Sequence, residues 1–193
     1  MKRQLTFQEY RGVDLALFAA MLVFSEYVIT SAAVKWFPGQ PYTVSVTGAI
    51  CAIVLMRWGA WAGLHAILGG AVFCTVSGGS AGQFAIYCIG NLGCLGALAL
   101  LRLLGAERIR KDKLYSLLFA LVTLLLMQLG RAAVALLLGT ELASCAGFFT
   151  TDALSGLFSM VIIYIARQLD GVFEDQKTYL IRLQEQKKKK GGF

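Results

Sequence analysis

The chain has 193 residues, 58% hydrophobic and 15% charged, with a mean hydropathy of +0.68 and a formal charge of +7. A soluble domain carries about 25% charged residues, so this composition excludes an ordinary soluble globule and leaves no room for a second domain of usual size. Nucleic acid is excluded as well: the basic residues sit at the ends of apolar runs, with no aromatic-interleaved basic stripe, which is the pattern of anchoring beside anionic lipid.

The first apolar run, 13–34, is about 20 residues long, which suits a membrane span rather than the shorter core of a cleavable signal peptide. Further runs follow at 43–57, 59–78, 82–104, 114–138 and 147–168. Together they predict an all-α integral membrane protein with six transmembrane helices. The second run is short, and only Arg57, Trp58 and Gly59 divide it from the third. We read the pair as a tight helical hairpin; one long helix is the competing parse.

Charge decides the direction. Sixteen of the eighteen Lys and Arg residues fall on one side of the ladder: Lys2, Arg3, Arg11, Arg57, the group from Arg102 to Lys113, Arg167, Lys177, Arg182 and the Lys187–Lys190 run. Lysine and arginine mark cytoplasmic loops, so both termini are expected in the cytoplasm. A five-span parse would split these clusters across the membrane. Only Lys35 and Arg131 depart from the pattern.

The first outer connection, from Trp36 to Tyr42, holds both prolines and three aromatics, the makings of a stiff lid or edge at the membrane interface. The second, from Ser77 to Gly82, is a small-residue turn, and the third, Gly139 to Gly147, contains Glu141 and Cys145. After Ile165 the chain turns polar, but residues 170–186 keep an apolar helical rhythm through Val172, Phe173, Tyr179, Leu180 and Leu183. This predicts a short amphipathic C-terminal helix and a basic tail. The chain divides into a membrane domain, 1–169, and a cytoplasmic extension, 170–193.

The polar residues within the spans carry the chemistry, because an ionisable side chain in hydrocarbon costs roughly 2.5–3.5 kcal/mol and needs a partner or water. Arg131 lies 17 residues after Leu114, about 25 Å along the fifth span, and Glu26 lies about 20 Å along the first. Asp152 begins the sixth. Gln83, Tyr87 and Asn91 share one face of the fourth, and Gln128 neighbours Arg131 on its own helix. The expected site is one outward-opening pocket lined by Glu26, Tyr27, Gln83, Tyr87, Asn91, Arg131 and Asp152, with Trp36 from the first outer loop. Arg131 is either a clamp for a carboxylate or phosphate or half of a structural ion pair with Asp152 or Glu26.

A single histidine, His65, and five cysteines without metal-type spacing give no metal, haem or iron–sulfur signature. No metal, no cofactor and no catalytic constellation are expected, so the chain reads as a non-enzyme. The cysteines read as packing residues, with Cys145, in a loop, the most accessible. Glycine and alanine are dense within the spans, where close backbone approach is what holds membrane helices together.

The segment Arg11 to Ala20, RGVDLALFAA, and the loop sequence PGQP resemble those of substrate-binding S components of energy-coupling factor (ECF) vitamin importers. Size, span number and direction fit the same family. The resemblance implies a bacterial cell-membrane transport subunit that captures a vitamin-like solute outside. Ala16 and Ala20 would dock on the transmembrane coupling subunit, which is driven by two cytoplasmic ATPases. The chain has no nucleotide-binding GxxxxGK[ST] motif of its own. The alternative is a membrane scaffold or assembly protein of similar helical fold, without ligand binding. Neither reading names the solute.

Overall fold

The structure is a computed structural model and describes residues 6–39 and 42–190. Lys2, Arg3, Gln40, Pro41 and residues 191–193, which carried parts of the charge, loop and tail readings, lie outside the described residues. The described residues are helical throughout, joined by short connections.

Helix α1 (Phe7–Trp36) begins at a capping box. The Glu9 amide donates to the Thr6 hydroxyl at 3.2 Å, and the Thr6 amide donates to the Glu9 carboxylate at 2.8 Å, which satisfies two amides the first turn would leave unpaired. Its buried residues recur every fourth position, Asp14, Phe18, Leu22, Glu26 and Thr30, so they form one stripe. The other faces expose Val13, Leu17, Met21, Phe24, Tyr27 and Val28. Such apolar exposure is stable only against lipid or another protein.

Helix α2 (Thr47–Trp58) is buried from Thr47 to Arg57, as expected of a helix apolar on all sides. A 3-10 turn, Gly59–Trp61, leads into α3 (Ala62–Ser77). Gly59 sits at φ +61°, a conformation that glycine adopts without steric cost. There the chain reverses: a Cβ on Gly69 of α3 would collide with Thr47 at the far end of α2. The stretch Thr47–Ser77 is therefore a folded-back helical pair.

Helix α4 (Ala81–Gly90) passes through a 3-10 segment, Asn91–Gly96, into α5 (Ala97–Leu104). A short α6 (Ala106–Lys111) precedes α7 (Lys113–Leu137), whose first amides, Leu114 and Tyr115, donate to the Asp112 carboxylate. Two short helices, α8 (Leu142–Cys145) and α9 (Gly147–Thr151), lead to α10 (Ala153–Ala166), and α11 (Gln176–Lys190) ends the described chain. Among the described residues five stretches are long and apolar enough to cross a membrane: 7–36, 47–77, 81–104, 113–137 and 142–166.

Helix α7 is the hub of the bundle, packed against α2, α4, the 3-10 segment and α10. At its crossing with α4, a Cβ on Gly130 would collide with the Gly90 carbonyl, and a Cβ on Gly90 would lie 2.5 Å from the Arg131 Cα. The two backbones touch, which only glycine permits, and this brings Asn91 and Arg131 face to face.

Arg57, Arg110, Arg167 and the C-terminal segment gather at one end of the bundle, hereafter the basic end. The sequence places Arg57 at the boundary between the second and third apolar runs; the structure buries it. Its Nε and Nη2 donate to the two Asp14 carboxylate oxygens at 2.9 and 2.5 Å, and its Nη1 donates to the carbonyls of Gly171 and Val172. The Trp58 indole N–H donates to the same carboxylate at 2.6 Å. Burial is tolerable because every charge has a partner. Phe173 inserts beneath the bundle against Phe119, with ring centres 6.2 Å apart. Tyr10 donates to Gln176 at 2.9 Å. Cys145 also departs from expectation: short helices fold over it and it is 2% exposed.

Candidate functional site

At the end opposite Arg57, four elements deliver polar side chains to one buried cluster. Arg131, on α7, is 5% exposed and Asp152, just before α10, is 3% exposed. They form an ion pair at 2.7 Å between Arg131 Nη1 and Asp152 Oδ2. Arg131 Nε donates to the Asn91 side-chain carbonyl at 2.7 Å, and Nη1 also reaches the Gln128 carbonyl at 3.2 Å. The Gln128 amide and the hydroxyls of Thr43 and Ser155 donate to Asp152, the latter two at 2.7 Å each. The Tyr87 ring covers the guanidinium, 4.6 Å from its carbon to the ring centre. Among the described residues Nη2 has no hydrogen-bond partner. It is the one guanidinium nitrogen of Arg131 left for something else.

This arrangement favours the structural alternative for Arg131 over a free two-pronged clamp, since two of its three nitrogens are engaged by the protein. The pair is also electrically neutral as a unit, so it offers an incoming anion little net attraction.

Glu26 is buried nearby, but in a different role. Its Oε2 accepts from the Ser45 hydroxyl at 3.0 Å, the Val46 amide at 3.1 Å and the Thr47 hydroxyl at 3.1 Å. It therefore caps the first turn of α2, where a carboxylate complements the positive end of the helix dipole. Its Oε1 is buried without a partner among the described residues.

Of the expected site residues, Tyr87, Asn91, Arg131 and Asp152 meet in one cluster, with Glu26 beside it. Three do not join. Tyr27 lies on the outer face of α1, 58% exposed, because the buried stripe passes through its neighbour Glu26. Trp36 is 70% exposed at the end of α1. Gln83 is used locally: its side chain accepts from the Ser80 amide at 2.7 Å in a capping box. Ala16 and Ala20 are both exposed on α1. His65 bridges α3 and α1, its ring nitrogens 3.4 and 3.1 Å from the carbonyls of Trp61 and Leu15.

The sequence reading passed over Thr43, Ser45, Thr47 and Phe73. The signal was present in residues 43–47, TVSVT, where hydroxyls alternate with valines. Residues 43–45 lie in the irregular connection before α2, and the hydroxyls are divided between the two acids: Thr43 donates to Asp152, Ser45 and Thr47 to Glu26.

Two voids adjoin the cluster. A small one of about 10 Å³ is bounded by Thr47, Gly70, Tyr87, Asn91, Arg131 and Asp152, room for about one water. A cleft of about 720 Å³ lies above it, walled by Val34, Phe37, Tyr42, Thr43, Phe73 and Leu154. Thr43 and Phe73 border both voids. The cleft has the size and mostly apolar lining of small-molecule sites.

No protein family matches the chain, and neither a curated protein nor a solved structure matches it.

Proposed function

We propose that this chain is the solute-capturing subunit of an ATP-driven importer of the energy-coupling-factor type, embedded in a bacterial cell membrane. The observation that carries the reading is the cleft of about 720 Å³ set directly over a buried polar cluster at the end opposite the basic charges. In this reading the folded-back pair α2–α3 counts as two crossings, which makes six. The basic end then faces the cytoplasm by the rule of lysine and arginine bias, and the cleft faces outward.

The cleft walls suit a small vitamin-like molecule with a flat apolar or aromatic body resting on Phe37, Tyr42 and Phe73. Its few polar atoms are met by the hydroxyls of Thr30, Thr43 and Ser77 on the cleft wall. Exposed Ala16 and Ala20 on α1 would seat the transmembrane coupling subunit, which works with two cytoplasmic ATPases. Hydrolysis belongs to those partners and not to this chain.

Mass spectrometry of small molecules co-purified with the protein, paired with recovery of partner subunits from the native membrane, tests this. A bound heteroaromatic solute and ATPase subunits are expected. Recovery of neither overturns the reading in favour of a scaffold protein.

A further inference from the structure

A second groove, of about 400 Å³, lies at the basic end between the first turns of α1 and the length of α11. Helix α11 turns Lys177, Leu180, Ile181, Gln184 and Lys187 toward it, positions three, four and seven apart that share one helical face. Phe7 and Tyr10 form the opposite wall. Phe7 is 45% and Ile181 50% exposed, so large apolar surfaces stand open there.

The charge around this groove is one-sided. A lysine stands at each end of its α11 wall, no Asp or Glu lines it, and Lys188 to Lys190 follow in the chain. The neighbouring cleft along α6 and α11 is different: its cations are matched, with Arg110 paired to Glu174 at 3.5 Å and Arg182 paired to Asp170 and Glu174 at 2.7 and 2.9 Å. Of these two grooves the first combines an apolar floor with lysines that have no carboxylate partner among the described residues. The Trp58 ring packs behind the α1 wall of the groove, 5.6 Å from the Phe7 ring and 6.1 Å from the Tyr10 ring.

We infer that this groove binds one anionic phospholipid. Its acyl chain lies along Phe7, Leu180 and Ile181, and its phosphate is held at the water-facing end by Lys187. The apolar walls distinguish a lipid from a free anion: a soluble phosphate gains nothing from them and cannot fill the volume.

Trp58 reports occupancy. The full chain with Trp36→Phe and Trp61→Phe, purified in detergent, is titrated with dibrominated phosphatidylglycerol or dibrominated phosphatidylcholine while Trp58 fluorescence is followed. Phosphatidylglycerol is expected to quench at roughly fivefold lower lipid, from the attraction of the anionic headgroup to the lysine at the water-facing end. The preference is expected to vanish in Lys177→Gln/Lys187→Gln, whose exposed positions leave the fold intact. Ile181→Gln is expected to weaken quenching by both lipids. Equal quenching by the two lipids, a preference that survives the double substitution, no effect of Ile181→Gln, or displacement of the lipid by inorganic phosphate would each overturn the assignment.

Discussion

Arg57 grips both carboxylate oxygens of Asp14 while its remaining nitrogen holds the carbonyls of Gly171 and Val172. One buried side chain thus ties α1, α2 and the C-terminal segment together at the basic end. Both members of the pair are buried. Removing either one leaves an uncompensated charge away from water.

Arg57→Ala is therefore expected to cost about 3–5 kcal/mol of stability and to free the C-terminal segment. Thermal unfolding in detergent measures the first effect. Limited trypsin digestion measures the second, as faster cleavage at Lys177 and Arg182. Replacing both partners together, as Asp14→Asn/Arg57→Gln, is expected to cost less than the sum of the single changes, because neither charge is then stranded.

At the other end, Asp152→Asn removes the counter-charge of Arg131 and is expected to destabilise by a similar amount, about 3 kcal/mol. Arg131→Lys keeps the charge but cannot reach Asn91 and Asp152 at once, since an ammonium lacks the planar fork. A loss of about 1–3 kcal/mol is expected, that of a charged hydrogen bond left unmade. Unchanged melting in either variant would remove the cluster from the fold's supports.

The glycine contact between α4 and α7 gives a matched pair of substitutions. Gly130→Ala drives a methyl into the Gly90 carbonyl, and overpacking of this kind costs about 1–3 kcal/mol. Gly12→Ala, in α1 with open space around its Cα, is expected to stabilise by up to about 1 kcal/mol through helix propensity. Opposite signs in chemical unfolding of the two variants check the crossing.

Ala16→Leu/Ala20→Leu tests the docking face proposed for α1. Both positions are exposed, so stability of the isolated chain is expected to stay within about 0.5 kcal/mol, while co-purification of the coupling subunit is lost. Retained association would move the partner surface elsewhere.

Phe73→Ala and Tyr27→Ala separate the cleft from the exposed outer face of α1. Phe73 lines the cleft and packs 4.7 Å from the Tyr87 ring, so its truncation is expected to lower the amount of co-purified solute severalfold, on the order of 1–3 kcal/mol of binding. Tyr27 points away from it, and Tyr27→Ala is expected to leave solute content unchanged. Mass spectrometry of the two preparations reads both.

The sequence by itself determined the helical character, the clustering of basic residues at one end and the presence of buried polar chemistry. These follow from local runs and from the cost of charge in an apolar medium, neither of which needs a partner helix to be known. Tertiary structure alone decided which side of each helix faces inward. In a soluble helix a polar stripe marks the outside, but α1 is apolar on nearly every face, because lipid and protein interior reward the same residues. Hence Glu26 and Tyr27, adjacent in sequence, could not be told apart until packing turned one in and the other out. The same physics hid the partner of Arg57 and left Arg131 with two candidates, Asp152 and Glu26. Asp14 and Asp152 lie 43 and 21 residues away from the two arginines, and only the close crossings of the helices bring opposite charges to hydrogen-bond distance.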